Sequence, residues 1–254
     1  GLPLTSESPC PYFADRGHRV RYLAADETIS PAAQARLLQA GFRRCAHVYY
    51  RPECRGCRQC LSYRVAPASF KPSRQQRRVQ RRNRDVTFSL RRPQPNEAKQ
   101  ELYLRYEYQQ HHCRPAPSGP APGTFDPERQ LETMAVQMYA APRTSRELEI
   151  RLDGRLLGFG VVDVARAASS LVYFVFNPAF ARRSLGTLNI LWNLAYAAEH
   201  HMDHVYLGYC IPGHPKMAYK SRFGPAEVRD PTSGAWRKVP RLALLDDERN
   251  DASC

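Results

Sequence analysis

The second half of the chain carries the clearest pattern of apolar and polar positions. Residues 147–152 alternate between apolar and polar side chains, and Asp153-Gly154 is a strong hairpin turn, so residues 155–164 are predicted to form the partner strand. A third strand is predicted over residues 171–176, where Asn177-Pro178 ends it. This half is therefore expected to be rich in strands.

The pattern beyond the third strand predicts a helix, a buried strand, a short helix and a last hairpin. These elements are expected at residues 187–201, 205–209, 215–222 and 226–239, respectively. The tail after Pro240 is acidic and is expected to be mobile.

The first half contains fewer clear elements. A strand is predicted around residues 19–24. A helix is predicted to begin at Ser30-Pro31, which suit the N-cap and the first turn, and to end at Gly41. A strand through residues 47–50 and a helix over residues 97–112 follow. Residues 115–123 hold four prolines and two glycines, which is typical of a loop or linker.

Composition adds a strong positive charge to this pattern. The chain of 254 residues is 43% apolar, as is ordinary for a globular protein, but its formal net charge is +14. Such a charge favours polyanionic partners, with nucleic acid first and an acidic membrane surface as the rival. No apolar run reaches the roughly 18 residues of a membrane span, and residues 1–11 contain neither a basic leader nor an apolar signal core. We therefore expect a soluble, cytoplasmic protein with no membrane partner.

Three cysteines lie at a spacing that points to metal chemistry. Cys54, Cys57 and Cys60 are each separated by two residues, so their thiolates can converge on one centre from a single loop. A site of four thiolates needs one more ligand, and Cys10 is the candidate. The spacing does not decide between zinc and an iron–sulfur cluster, and free buried thiols are the plainer alternative. Packing explains the remaining cysteines better: Cys45, Cys113, Cys210 and Cys254.

A belt of basic residues spans positions 71–92. It holds nine positive charges and one acidic residue, Asp85. Arginine forks suit phosphate oxygens, so the belt predicts contact with a nucleic-acid backbone, although a solvated basic face is the alternative. The nine are Lys71, Arg74, Arg77, Arg78, Arg81, Arg82, Arg84, Arg91 and Arg92.

Two later segments carry polar side chains near predicted strand ends. Residues 182–187 read Arg-Arg-Ser-Leu-Gly-Thr before a helix, which suits a phosphate at a helix N-terminus, or else an ordinary helix start capped by Ser184 or Thr187. Residues 206–213 contain two tyrosines and a glycine pair, and Lys216 and Lys220 follow. These side chains either line a polar pocket or belong to a core strand with surface lysines.

Together, these segments resemble the bacterial branch of the arginyl-tRNA–protein transferase family, the aspartate/glutamate leucyltransferases. The resemblance covers about residues 9–238. It departs from the family pattern at His111-His112-Cys113, where the family usually has an Arg-His or Lys-His pair. The matching strings are Cys10-Pro11-Tyr12, Gly41-Phe42-Arg43-Arg44, Tyr49-x-Arg51-Pro52-x-Cys54-x-x-Cys57-x-x-Cys60, Phe70-x-Pro72-Ser73-Arg74-x-Gln76-Arg77-Arg78, Arg81-Arg82-Asn83, Asp153-Gly154, Asp163-Val164, residues 182–187, Tyr206-Leu207-Gly208-Tyr209 and Lys216-Met217-Ala218-Tyr219-Lys220.

The resemblance implies an α+β protein that transfers leucine from leucyl-tRNA to N-terminal Asp or Glu of other proteins, in the N-degron pathway of protein degradation. Residues 1–92 are expected to carry the cysteine cluster and the basic belt. Residues 93–240 are expected to form a transferase domain of acetyltransferase (GNAT) type, with a mixed sheet flanked by helices, and residues 241–254 a mobile tail. The implied cofactor is an iron–sulfur cluster or zinc, with no organic cofactor.

Candidate roles follow from motif position and chemistry. The catalytic candidates are Asp163, Tyr209 and Tyr219. The candidates for binding the acceptor carboxylate are Arg81, Arg82, Lys216, Lys220 and Arg222. The candidates for tRNA binding are Arg74, Arg77, Arg78, Arg182, Arg183, Ser184, Gly186 and Thr187, and the metal ligands are Cys10, Cys54, Cys57 and Cys60.

Aminolysis of an aminoacyl ester requires positioning and deprotonation, so no covalent enzyme intermediate is expected. Three alternatives stay open at this point. They are arginine as the donated residue, a conventional acetyltransferase that uses acetyl-coenzyme A, and a zinc-containing RNA-binding module without catalysis.

Overall fold

The computed structural model describes residues 1–113 and 124–241 of the chain. Its strands are β1 Ser8–Pro9, β2 Gly17–His18, β3 Val20–Ala24, β4 Arg43–Cys45, β5 Val48–Pro52, β6 Leu61–Val65, β7 Val86–Arg91, β8 Ser145–Leu152, β9 Arg155–Ala165, β10 Ala168–Phe176, β11 His204–Cys210, β12 Ala226–Arg229 and β13 Trp236–Val239. Its α-helices are α1 Pro31–Gln39, α2 Arg74–Arg82, α3 Glu97–Glu107, α4 Pro127–Met134 and α5 Leu185–Glu199. Helices α3 and α4 each continue into one π-helical turn, Tyr108–His112 and Ala135–Tyr139, and 3₁₀ turns cover Pro67–Ser69, Pro178–Arg183 and Ala218–Arg222.

A mixed sheet of eight strands in the described residues organises the molecule. Its spatial order is β13-β12-β6-β11-β10-β9-β8-β7, and only the β10–β11 pair is parallel. A small sheet, β3-β5-β4, and the helix α1 lie beside it, where Leu38 packs with Ala165, Ala168 and Tyr206. The molecule is therefore α+β, with one large mixed sheet.

Helices cover both faces of the large sheet. Apolar residues of α5, such as Leu188 and Leu191, pack in one core cluster with Val79 of α2. Leu102 of α3 and Met134 of α4 pack in a second cluster with Phe159 and other residues of β9 and β10. Both faces of the strands are buried for this reason. In the described residues, no helix is long and apolar enough to cross a lipid bilayer.

The two parallel strands separate partway along their length. Residues 168–170 of β10 pair with residues 204–206 of β11, and the pairing ends there, although β10 continues to Phe176 and β11 to Cys210. The register between β11 and β6 also shifts between Tyr206 and Gly208. We call the gap beyond the last paired residues the strand opening.

Local signals that the sequence presents are confirmed in the structure. The Ser30 hydroxyl accepts a hydrogen bond from the Ala33 amide over 3.1 Å at the start of α1, and Gly41 has a φ of +84° just after its end. The predicted strands over residues 19–24, 47–50, 147–152, 155–164, 171–176 and 205–209 lie at β3, β5, β8, β9, β10 and β11. The predicted loop at residues 115–123 lies outside the described residues, as does the predicted tail, residues 241–254, apart from Arg241.

Several elements were not predicted. They include α2, which begins with a capping box between Ser73 and Gln76, and the strands β6 and β7. Because β6 and β7 pair within the same sheet as β8 to β13, the expected boundary between residues 92 and 93 does not separate two sheets.

A buried ion pair fixes the small sheet on the large one. The Arg44 guanidinium of β4 donates to both carboxylate oxygens of Asp163 in β9, over 2.7 and 2.8 Å, and the Ser145 hydroxyl donates to Asp163 over 2.5 Å. Both charged side chains are 1% exposed. The bidentate geometry satisfies a charge that would otherwise be unpaired in the interior.

We predict that Arg44→Met destabilises the protein by about 3–5 kcal/mol, because the Asp163 carboxylate then stays buried without its partner. Urea unfolding at pH 7 measures this loss. The matched control is Arg143→Met, which removes an exposed pair with Glu27 at 3.4 Å and should change the free energy of unfolding by about 0–1 kcal/mol. Equal losses in the two variants would contradict the role given to the Arg44–Asp163 pair.

Candidate active site

Arg43 lies in the strand opening. Alternation along β4 directs Arg44 to the buried ion pair, and the neighbouring Arg43 reaches in the other direction. The Arg43 Nη2 donates to the Val172 carbonyl of β10 over 2.5 Å. On the other side, Gly208 of β11 has a φ of +79°, and a Cβ built on it would lie 2.9 Å from the Arg43 Nη1. The guanidinium therefore sits between the two separated strands, and Gly208 leaves room for it.

Tyrosine phenols surround this guanidinium. Burial raises the pKa of each of them, so all four stay neutral at physiological pH: Tyr12, Tyr50, Tyr209 and Tyr219. The Tyr219 side chain is 40% exposed and borders the opening from outside. The phenols thus offer hydrogen bonds and aromatic surface but no negative charge.

Lys220 is the second cation of the opening. Its Nζ donates to the Tyr209 carbonyl at the end of β11 over 2.5 Å, and the residue is 5% exposed. Burial, reinforced by the nearby Arg43 charge, lowers the pKa of Lys220 to about 7. No ion pair joins Lys220 or Arg43 to an acidic residue within residues 1–113 and 124–241. The opening therefore holds two basic side chains without a resident carboxylate.

The N-terminal segment forms one wall of the site. The His214 ring lies edge-on to the rings of Tyr12 and Phe13, with centroids 5.4 and 5.8 Å apart. Tyr12, Phe13 and Cys60 also pack on the apolar cluster of Tyr209, Ile211 and Met217. The cysteine region is consequently adjacent to the opening.

The four predicted metal ligands lie in one region. Burial raises the pKa of the Cys60 thiol to about 12, and the charges of Cys54, Cys10 and Cys57 add to this effect. Cys57 accepts a hydrogen bond from Arg16 over 3.6 Å, and the Cys54 thiol donates to the Arg19 carbonyl over 3.7 Å. In the part of the chain that the structure describes, however, no group of three or more His, Cys, Asp or Glu side chains is arranged to hold a metal ion. The donor chemistry suits a thiolate-bound metal, but these side chains are not in ligating positions, so metal binding stays a prediction.

The basic belt folds into an exposed helical surface. On α2 only Gln76 and Val79 are buried, and the arginines project outward. Arg183, from the segment before α5, pairs with both oxygens of Asp85 over 2.8 and 2.9 Å, and Arg82 donates to the Arg182 carbonyl. The structure therefore brings together the two predicted phosphate-binding segments. We call this the α2 surface: Arg74, Arg77, Arg78, Arg81, Arg82, Arg84, Arg182 and Arg183.

The segment before α5 lacks the predicted side-chain cap. Ser184 has a left-handed backbone, with a φ of 54°, and makes no capping hydrogen bond, while α5 begins at Leu185, ahead of Thr187. Nothing lies within 4 Å of a Cβ built on Gly186, so open space faces this first turn.

Two of the predicted catalytic residues have structural roles instead. Asp163 cannot hold an incoming amine, because Arg44 and Ser145 engage both carboxylate oxygens in the interior. Tyr209 is 3% exposed. Its hydroxyl already donates toward the carbonyls of Tyr50 and Gly41, over 2.8 and 3.1 Å. Tyr219 remains at the opening.

Of the five residues predicted to bind the acceptor carboxylate, Lys220 is the one with described contacts in the opening. Lys216 and Arg222 are exposed, and the Arg222 carbonyl accepts from Gln76 of α2 over 3.0 Å. Arg81 and Arg82 belong to the α2 surface. Arg43 was missed as a site residue. Arg43 belongs to the string Gly41-Phe42-Arg43-Arg44, which is part of the family resemblance. The sequence does not show, however, which of the two adjacent arginines pairs with an acidic residue.

Comparison with known proteins assigns the chain to one group of relatives. Residues 8–78 match the family described as arginine-tRNA-protein transferase, N terminus, and residues 98–230 match its C terminus. An aspartate/glutamate leucyltransferase of Leptospira interrogans serogroup Icterohaemorrhagiae serovar copenhageni (strain Fiocruz L1-130) is 34% identical over 238 residues, which are 94% of this chain and 90% of that protein. Another, from Ruegeria pomeroyi (strain ATCC 700808 / DSM 15171 / DSS-3), is 36% identical over 251 residues, 98% of this chain and 86% of that protein.

Similarity to solved structures is weaker. L-PGS from Bacillus licheniformis aligns with a TM-score of 0.43 and 11% identity, over 63% of this chain and 48% of that one. The ribosomal-protein-S18-alanine N-acetyltransferase from Escherichia coli aligns with a TM-score of 0.29 and 9% identity, over 46% and 63%. Scores of this size do not establish a shared fold.

We predict that protein purified without oxygen carries a metal held by Cys10, Cys54, Cys57 and Cys60. Elemental analysis and visible absorbance should show iron with sulfur-to-iron bands, or zinc without them. Cys57→Ser should lower the metal content severalfold, whereas Cys45→Ser, which alters an exposed cysteine outside this group, should leave it unchanged. Metal-free wild-type protein under these conditions would contradict the prediction.

Proposed function

The chain belongs to the arginine-tRNA-protein transferase family, and we propose that it transfers leucine from leucyl-tRNA to the N-terminal Asp or Glu of proteins. The names of the relatives that match most of its length support leucine as the donated residue and acidic residues as acceptors. The observation that carries the proposal is the strand opening, where Lys220 is buried without an acidic partner among the described residues. We also propose that the sheet is of the acetyltransferase type, since its two parallel strands separate at this point.

Lys220 suits the proton transfer that the reaction requires. The acceptor α-amino nitrogen attacks the ester carbonyl of the leucyl group, a C–N bond forms, and the C–O bond to the ribose breaks. Because its pKa is about 7, about half of Lys220 is neutral at pH 7, and its Nζ accepts the proton that the attacking amine loses. The protonated Lys220 then returns this proton to the departing ribose oxygen, which leaves as a hydroxyl. Every step uses the ester already present in the donor, so none passes through the predicted metal.

The α2 surface is the proposed binding surface for the tRNA backbone. Seven of its eight arginines are exposed, while Arg183 is partly buried and paired with Asp85, and no acidic residue lies on α2 itself. Guanidinium groups in this arrangement bind phosphate oxygens and release counterions. Gln76 links the helix to the 3₁₀ turn that carries Lys220, through its hydrogen bond to the Arg222 carbonyl. A tRNA on this surface is thereby held close to the reacting residue.

A cytoplasmic location belongs to the same proposal. The seven cysteines of residues 1–113 and 124–241 are free thiols, as a reducing compartment keeps them.

The proposed function predicts a product that depends on leucyl-tRNA. The protein is incubated with an Asp-start peptide and either leucyl-tRNA or arginyl-tRNA, with and without ribonuclease, and product mass identifies the added residue. We expect a leucine adduct that ribonuclease abolishes. An arginine adduct would reassign the donor, product that requires acetyl-coenzyme A would indicate an acetyltransferase, and no product would favour a binding module.

We predict that the kcat–pH profile contains a rise near pH 7, because Lys220 accepts a proton only when it is neutral. The acceptor amine, with a pKa of about 8, adds a second rise at higher pH. Lys220→Arg keeps the charge but cannot deprotonate, so kcat should fall about 10²- to 10⁴-fold and the rise near pH 7 should disappear.

The control for this variant is Lys216→Arg, an exposed lysine four residues away, which should keep both rises. Steady-state rates at saturating peptide and tRNA from pH 5.5 to 9 provide the profile. A Lys220→Arg profile that retains the rise near pH 7 would exclude Lys220 as the proton acceptor.

A further inference from the structure

Arg43 differs from its neighbour in one respect that matters for ligand binding. Both arginines lie on β4, and Arg44 has its charge neutralised by Asp163. Arg43 has no ion pair in the described residues, and the four tyrosines near it are neutral at physiological pH, so they supply no counterion. A guanidinium that is partly removed from water and lacks a counterion is costly to maintain, unless a ligand supplies the missing charge.

The position of this guanidinium is fixed before any ligand arrives. The Val172 carbonyl holds one Nη2 hydrogen, and the flat face of the group rests on Gly208, where a Cβ would come within 3.4 Å of Nη1, Cζ and Nε. Such fixation keeps the remaining N–H groups pointing in set directions and lowers the entropic cost of binding. Lys220 differs, because its single Nζ, which donates to the Tyr209 carbonyl, offers no planar pair of donors.

The ligand chemistry follows from the fork geometry of the side chain. A guanidinium matches a carboxylate through two parallel N–H···O bonds, whereas a neutral amide of the same shape offers only one acceptor oxygen. We propose that Arg43 binds the side-chain carboxylate of the acceptor's first residue and thereby selects Asp or Glu over Asn or Gln. This inference rests on the proposed function, and it assigns the specificity to a residue of the small sheet.

Arg43 and Lys220 then contact different parts of the acceptor residue. Arg43 holds the acceptor side chain at one side of the opening, and Lys220 lies near the α-amino group at the end of β11. Hydrogen bonds to charged groups contribute about tenfold to 150-fold in binding. The wild type should therefore have a kcat/KM at least about tenfold higher for an Asp-start peptide than for its Asn counterpart.

The test compares Asp-start and Asn-start peptides of otherwise identical sequence, with leucyl-tRNA as donor. Arg43→Gln should bring the kcat/KM ratio of the two peptides close to one, by lowering the value for Asp while leaving that for Asn within about threefold. The KM for leucyl-tRNA should not change. Arg43→Lys, which keeps the charge but loses the fork, should retain an intermediate ratio. Arg129→Gln, an exposed arginine of α4, is the matched control and should behave as the wild type.

The possible results distinguish a failure of the inference about Arg43 from a failure of the proposed function. A wild-type ratio in Arg43→Gln would overturn the inference while the proposed function stands. An equal loss for both peptides would also overturn it, since Arg43 would then support the fold and not the choice of substrate. A wild-type enzyme without any leucyl transfer would instead refute the proposed function itself.

Discussion

The early end of pairing between β10 and β11 is the constraint on which the site depends. Two parallel strands that separate after three paired residues leave backbone groups and space that something must fill. In this protein the Arg43 guanidinium fills part of the gap by bonding to Val172, and Gly208 has the left-handed backbone that makes room for it. The opening is thus polar and positively charged before substrate binds.

Arg43 and Arg44 are neighbours on β4, but one lies in the site and the other stabilises the fold. Arg44 satisfies its charge completely in the interior and holds β4 on β9. This anchoring fixes on the large sheet the strand that carries Arg43. The same region brings Tyr12 and the cysteine segment against His214, so the N-terminal part of the chain completes a site that otherwise belongs to the large sheet.

Sequence patterns predicted much of the fold and less of the site. Alternation and turn residues located β8 to β11, and Ser30 located α1, because these signals are local. Helix α2 was missed because its arginines conceal a buried stripe of only two residues, Gln76 and Val79. Lys220 was predicted to bind the acceptor carboxylate; it lies in the opening, where we propose it as the proton acceptor instead. Asp163 was predicted to be catalytic and is the buried partner of Arg44. Whether a charged side chain has a partner is decided by tertiary contacts, which residue type alone does not reveal.

We propose that acyl transfer takes place in the strand opening. A crystal structure with an amide-linked leucyl-adenosine, which mimics the tRNA terminus and resists aminolysis, tests it most directly. If transfer takes place there, the leucyl carbonyl will lie between β10 and β11, on the side where Tyr219 borders the opening, with Lys220 Nζ within about 3 Å of the position of the attacking nitrogen. An analogue bound at another surface, with nothing but Arg43 between the two strands, would contradict it.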